Sequence, residues 1–223
     1  NVATRSQENE QAMQLKVCDL EGGDARAMYK FQNFDLLSYN QMLMNVHAET
    51  GDNNNITDLS EMNMSVFLRI GSDFNNNYYE YEVPLVFTDP DLVSATSNES
   101  AEKEIWKSEN LFDFNYKDVF SGLKAERNNE ALLNSEENGT LSLQRYSKAD
   151  GRNTAFVKGS PSLQQVKVIM IGVRNKNEPG VSRCAEVWVN ELRLSGFDKT
   201  GGWATTANIN MQLADLGNVS FGG

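Results

Sequence analysis

Arg183 to Gly202 reads R-C-A-E-V-W-V-N-E-L-R-L-S-G-F-D-K-T-G-G. Its first half is a strand with apolar residues on both faces: Val187, Trp188 and Val189, then Leu192 and Leu194. Such a run suits the middle of a sheet covered on both sides. Val187, Trp188, Val189 and Leu192 are therefore expected in the core, the tryptophan or either valine contributing on the order of 2–3 kcal/mol on burial. Ser195 to Gly202 is a turn-rich exit, after which the chain changes character.

Upstream, alternation is the dominant pattern. Met13, Leu15 and Val17 alternate with Gln14, Lys16 and Cys18, a half-buried strand that breaks at Leu20–Asp24. Extended pieces follow around Met28–Asn33 and Gln41–Glu49, with Met42, Met44 and Val46 in one register and Leu43, Asn45 and His47 in the other. Met64, Val66, Leu68 and Ile70 share a face, and so do Tyr79, Tyr81 and Val83. The link between those two strands, Gly71–Asn77, is rich in residues that tolerate left-handed backbone, so they form a long hairpin. Gln165–Val173 is another core strand, preceded by shorter extended runs at Leu141–Leu143 and Ala155–Lys158. Ile105–Phe114 reads as an edge segment, and Asn115 can cap a short helix that carries Val119, Phe120 and Leu123 and ends near Asn128-Asn129. Thr88–Lys103 and Glu130–Gly139 read as polar loops.

These elements predict an all-β fold: an antiparallel β-sandwich, jelly-roll-like in having early strands beside late ones, with one short helix. Residues 1–9 form a polar lead-in and residues 10–196 the sandwich. Residues 197–223 form a linker and an amphipathic strand or hairpin resembling a barrel strand. There Trp203, Thr205, Ala207, Ile209, Met211 and Leu213 alternate with small or amide residues, the dyad pattern and length of a membrane β-strand. The same pattern also fits an edge strand of the sandwich.

Among 223 residues the net charge is −11, which argues against a nucleic-acid partner. The mean hydropathy of −0.52 and the shortness of every apolar run argue against a spanning helix. Two cysteines, Cys18 and Cys184, fall in the first and last strands of the sandwich. In an oxidising compartment they could bridge; otherwise they are two small buried thiols. Those cysteines and the single histidine, His47, lack the spacing of a metal cluster, and the asparagine-rich loop after Gly51 lacks the acidic repeat of a calcium loop. No cofactor motif and no catalytic constellation is present, so no catalytic, cofactor or metal residue is assigned and no enzyme activity is expected. His47 reads as a packed histidine. Glu80 and Glu82 share a strand face and read as solvent-facing decoration rather than a glycosidase pair. Glu191 and Arg193 read as a structural ion pair. A carbohydrate-binding module, with Tyr78 and Trp106 as its aromatic platform, is the alternative reading.

Several long stretches carry a resemblance. W-V-N-E-L-R-L-S-G-F-D-K-T-G-G-W-A (Trp188–Ala204), E-Q-A-M-Q-L-K-V-C-D-L (Glu10–Leu20), S-V-F-L-R-I-G-S-D-F-N-N-N-Y-Y-E-Y-E-V-P-L (Ser65–Leu85) and V-I-M-I-G-V-R-N (Val168–Asn175) resemble the SprA/Sov family. Those are the giant outer-membrane translocon proteins of the type IX secretion system in Bacteroidota. The resemblance implies a piece of a much longer chain: an extracytoplasmic domain inserted in a large outer-membrane barrel, with residues 203–213 as a barrel strand. It implies a role in protein transport and gliding motility. The implied partners are other segments of the barrel, a PorV-like shuttle barrel, a periplasmic plug and secreted cargo. It also favours the Cys18–Cys184 bridge over two free thiols.

Overall fold

A computed structural model describes residues 12–51, 58–89, 105–133 and 143–197, together with the backbone of 208–213 and 217–222. Within these, twelve strands run in chain order: β1 (Met13–Leu20), β2 (Ala25–Phe34), β3 (Gln41–Thr50), β4 (Met64–Gly71), β5 (Tyr78–Pro84), β6 (Phe112–Phe114), β7 (Tyr146–Asp150), β8 (Asn153–Lys158), β9 (Val166–Asn175), β10 (Arg183–Ser195), β11 (Asn208–Leu213) and β12 (Gly217–Gly222). One α-helix, α1 (Tyr116–Leu133), lies between β6 and β7.

The sandwich is built from a four-stranded sheet ordered β1-β10-β3-β6 and a six-stranded sheet ordered β2-β9-β4-β5-β8-β7, with every pairing antiparallel. β1 pairs β10, β2 pairs β9, β3 pairs β6 and β4 pairs β5. Those nested pairs are what results when one long antiparallel ribbon is rolled so that its halves alternate between two sheets, which is the jelly roll. The helix and the β7–β8 hairpin are an insertion between β6 and β9.

Alternation separates a core face from an outer face on each strand, although β4 and β5 are buried on both. Val66, Leu68 and Ile70 of β4 face Met44, Val46 and Ala48 of β3 and Val187 of β10 across one core. Where β6 ends, α1 takes over the lid: Tyr79 stacks on Phe120 at 4.8 Å and Tyr81 on Phe114 at 3.7 Å. Asn115 caps the helix, its Oδ1 accepting from the Asp118 backbone N–H at 3.1 Å. The helix continues past Asn128-Asn129 to Leu133. Asparagine is only a weak breaker when one face stays anchored, and the buried Arg127 donates to the Gly159 carbonyl at 2.7 Å. Burial pushes the Tyr79 hydroxyl up to about 12, against a small opposing effect of Arg127.

Two core assignments from the sequence are corrected. Leu192 is 38 % exposed and Trp188 is only half-buried, whereas Val187 and Val189 are buried. The reason is a β-bulge: Asn190 pairs with Asn45 and Arg193 with Leu43, so Glu191 and Leu192 together oppose one residue of β3. Glu191 takes a φ of 54°, and Leu194, not Leu192, resumes the inward register. The Glu191–Arg193 ion pair forms, but on the surface, where such pairs contribute about 0–1 kcal/mol. Leu143 lies in the turn before β7 rather than in a strand, while residues 141 and 203 lie outside the described ones.

β11 and β12 pair with each other from Asn208↔Gly222 to Leu213↔Gly217 and belong to neither sheet of the sandwich. The terminal hairpin is therefore not an inner strand of the body.

Candidate functional site

The outer face of the six-stranded sheet holds the main concentration of charge among the described residues. In the β4–β5 hairpin, Gly71 pairs with Tyr78, and counting back places Arg69 opposite Glu80. On the other side of β4, Ser65 pairs with Arg174 of β9. Glu80 and Glu82 are 0 % and 2 % exposed, not the surface decoration that the sequence implies. Arg69 Nε donates to Glu80 Oε2 at 2.7 Å, Arg174 Nη2 to Glu80 Oε1 at 3.0 Å, and Arg145 Nη2 also donates to Oε1. Lys176 Nζ donates to Glu82 Oε1 at 2.6 Å, while Arg174 Nη1 touches Glu82 Oε2 as an ion pair rather than an aligned hydrogen bond.

Aromatic rings floor this lattice. Arg69 lies 4.0 Å over Tyr78, Arg174 4.6 Å over Phe67, and Arg145 3.5 Å over Phe156. Rings and guanidinium stems exclude water from the two carboxylates while the cationic heads stay near solvent. Burial raises the Glu80 carboxyl, but Arg145, Arg174 and Arg69 outweigh it and hold the group below the ordinary carboxylate range. Lys176 is lowered, first by burial and then by Arg174 and Arg145. A carboxyl clamped in its ionised form cannot serve as a proton donor, so Glu80 does not fit the acid of a glycosidase pair. The hairpin register and the alternation of Arg69 between Leu68 and Ile70 carried this signal in the sequence. Arg145 and Arg174 come from elsewhere in the chain and carried none.

Tyr78 and Trp106 do not form a joint platform. Tyr78 is 4 % exposed beneath Arg69, on the six-stranded sheet. Trp106 packs instead on His47, at the outer face of the four-stranded sheet, with ring centroids 5.9 Å apart. On that face β3 sets His47 opposite Trp188 of β10, 5.2 Å away. His47 Nδ1 lies 2.7 Å from the Ile105 carbonyl oxygen and Nε2 2.8 Å from Glu49 Oε1. Both partners are acceptors, so both contacts are hydrogen bonds together only when each ring nitrogen carries its proton. The arrangement pins the segment around Trp106 onto the sheet and leaves neither nitrogen for a substrate.

Cys18 and Cys184 are joined by a disulfide that ties β1 to β10. Both lie within the stretch where the β1–β10 register slips, Cys18 between Val17 and Leu20 and Cys184 between Ala185 and Arg183. At the end of the pair away from the bridge, β1 begins at Met13 opposite Val189, so the first and last strands of the body lie side by side. No helix among the described residues is long and apolar enough to cross a membrane, which leaves strands untouched as a means of crossing.

The profile of the SprA N-terminal family, described as a motility related/secretion protein, matches residues 1–223. The chain belongs to this family. No curated protein matches it. Seen as a SprA-family chain, its quoted motifs are mostly scaffold. Ser65–Leu85 is the β4–β5 hairpin that carries Glu80 and Glu82, and Glu10–Leu20 with Trp188–Ala204 includes the β1–β10 pair that closes the roll. A secretion-related family places the chain's work at the cell envelope.

Proposed function

We propose that this SprA-family chain supplies a non-enzymatic structural and interaction domain of a type IX protein-secretion translocon. It sits on an extracytoplasmic side of the outer membrane, inserted between strands of a large barrel. The hairpin β11–β12 is part of that barrel. Its partners are the other barrel segments, a PorV-like shuttle barrel, a periplasmic plug and the secreted cargo. Through cargo export the domain also serves gliding motility.

One observation carries the reading. The first and last strands of the roll are antiparallel neighbours under a disulfide, so the domain can be spliced into a larger chain with its two ends together. The separate pairing of β11 with β12 supports a hand-over from the body to another sheet. The engaged state of Glu80 and His47 supports a scaffold over a catalyst.

The test is made in a bacterium whose secretion depends on this translocon, with the stretch 12–197 of the full-length protein replaced by a short flexible linker. The barrel is expected to reach the outer membrane at normal level while folded cargo accumulates in the periplasm. Normal export and gliding by the shortened protein would contradict the proposal.

A further inference from the structure

β2 is the outermost strand of the six-stranded sheet, and every residue from Arg26 to Asn33 is exposed. Its outer edge presents backbone N–H and C=O groups with no strand beyond them among the described residues. Both of its faces also carry exposed apolar side chains. On the outer side Tyr29 and Phe31, 55 % and 64 % exposed, cluster with Phe74. On the core side, Met28 pairs with Ile171 and Lys30 with Ile169, and Met28 stays 53 % exposed. Met13, Met28, Lys30, Ile169, Ile171 and Leu192 there line an open groove of about 410 Å³. The bulge that turned Leu192 out of the core placed it in this groove.

Charge says what kind of strand fits. β2 carries Arg26 and Lys30 and no acidic residue, in a chain of net charge −11. Arg26, Met28 and Lys30 share the core-side register, and among the described residues no carboxylate is paired with either cation. An added strand sets its own same-face residues directly opposite these three.

We infer that β2 is a docking edge for an extended segment of a partner protein that carries carboxylate, apolar and carboxylate residues at alternate positions. The apolar residue fills the groove over Met28, and the carboxylates meet Arg26 and Lys30. A second copy of this chain fits poorly. An antiparallel β2–β2 contact centred on Met28 sets Arg26 against Lys30 twice, and like charges directly opposite are destabilising. The inference stands independently of the translocon reading, since it uses only this edge and its charge.

The probe is the capped peptide T-E-T-I-T-E-T, titrated into the isotope-labelled 223-residue chain and followed by amide NMR. Shifts are expected in β2, β9, Met13 and Leu192. The same peptide with lysine in place of both glutamates is expected to bind about tenfold more weakly or not at all. The double variant Arg26→Glu/Lys30→Glu changes only exposed side chains, so its remaining spectrum should match the parent. It is expected to reverse the preference and take the lysine peptide. Equal binding of both peptides, shifts confined to other strands, no response at about 1 mM peptide, or an unchanged preference in the double variant would each overturn the inference. So would a dimer of the parent chain that the double variant abolishes, because the occupant would then be a second copy.

Discussion

Arg174 on β9 reaches across β4 to donate to Glu80 on β5 at 3.0 Å, with Phe67 of the intervening strand 4.6 Å beneath its guanidinium. Three strands of one sheet are thereby tied on their outer face by a single buried carboxylate. Glu80→Gln removes the charge and keeps the shape, leaving Arg69, Arg145 and Arg174 crowded without their shared counter-charge. It should cost about 3–5 kcal/mol, since breaking a buried ion pair strands the remaining charges. Urea unfolding of the two proteins reads the difference directly.

Reduction of the Cys18–Cys184 disulfide should loosen the whole body rather than one corner. The bridge closes a loop with a sequence separation of 166, for which chain entropy gives about 5 kcal/mol as an upper figure. Thermal unfolding with and without reductant should show a large fall in Tm, reproduced by Cys18→Ser/Cys184→Ser.

Asp73 organises the β4–β5 turn by accepting from the backbone N–H groups of Asn75 and Asn76. Partial burial works against its ionisation, but these bonds and those from Asn77 prevail and bring its carboxyl down from 3.8 to about 2. A depressed folded value means stabilisation that is present above the unfolded value and lost as pH falls through the folded one. Asp73→Ala should therefore cost about 1 kcal/mol near neutral pH, discounted for solvent screening, and the gap should close between about pH 4 and pH 2. Chemical denaturation across that range checks the slope.

The bulge in β10 predicts unequal costs along one strand. Val187→Ala opens space in the buried core and should cost about 2 kcal/mol. Leu192→Ala trims an exposed side chain and should stay within about 0.5 kcal/mol. Equal losses would mean that the register runs unbroken.

Strand positions and the nesting of early with late strands were legible because alternation marks which side of a strand is dry. That reading failed where a residue was added or a partner came from far away. Leu192 keeps the apolar character of Val187 and Val189, and nothing in its neighbours announces the positive φ at Glu191. Glu80 and Glu82 look like surface residues until Arg145 and Arg174, distant in sequence, arrive above them. Tyr78 was misplaced for the same reason: its exposure depends on whether Arg69 lies over the ring. The helix outran its asparagines because Arg127 holds a carbonyl of a loop that the local pattern does not contain.

Thermal unfolding of the full 223-residue chain beside the same chain ended after Phe197 tests most directly the division between a self-contained body and a hairpin that belongs to another sheet. Two cooperative transitions at the same Tm are the predicted result. A body that unfolds at markedly lower temperature, or fails to fold, once the β11–β12 hairpin is removed would contradict the account.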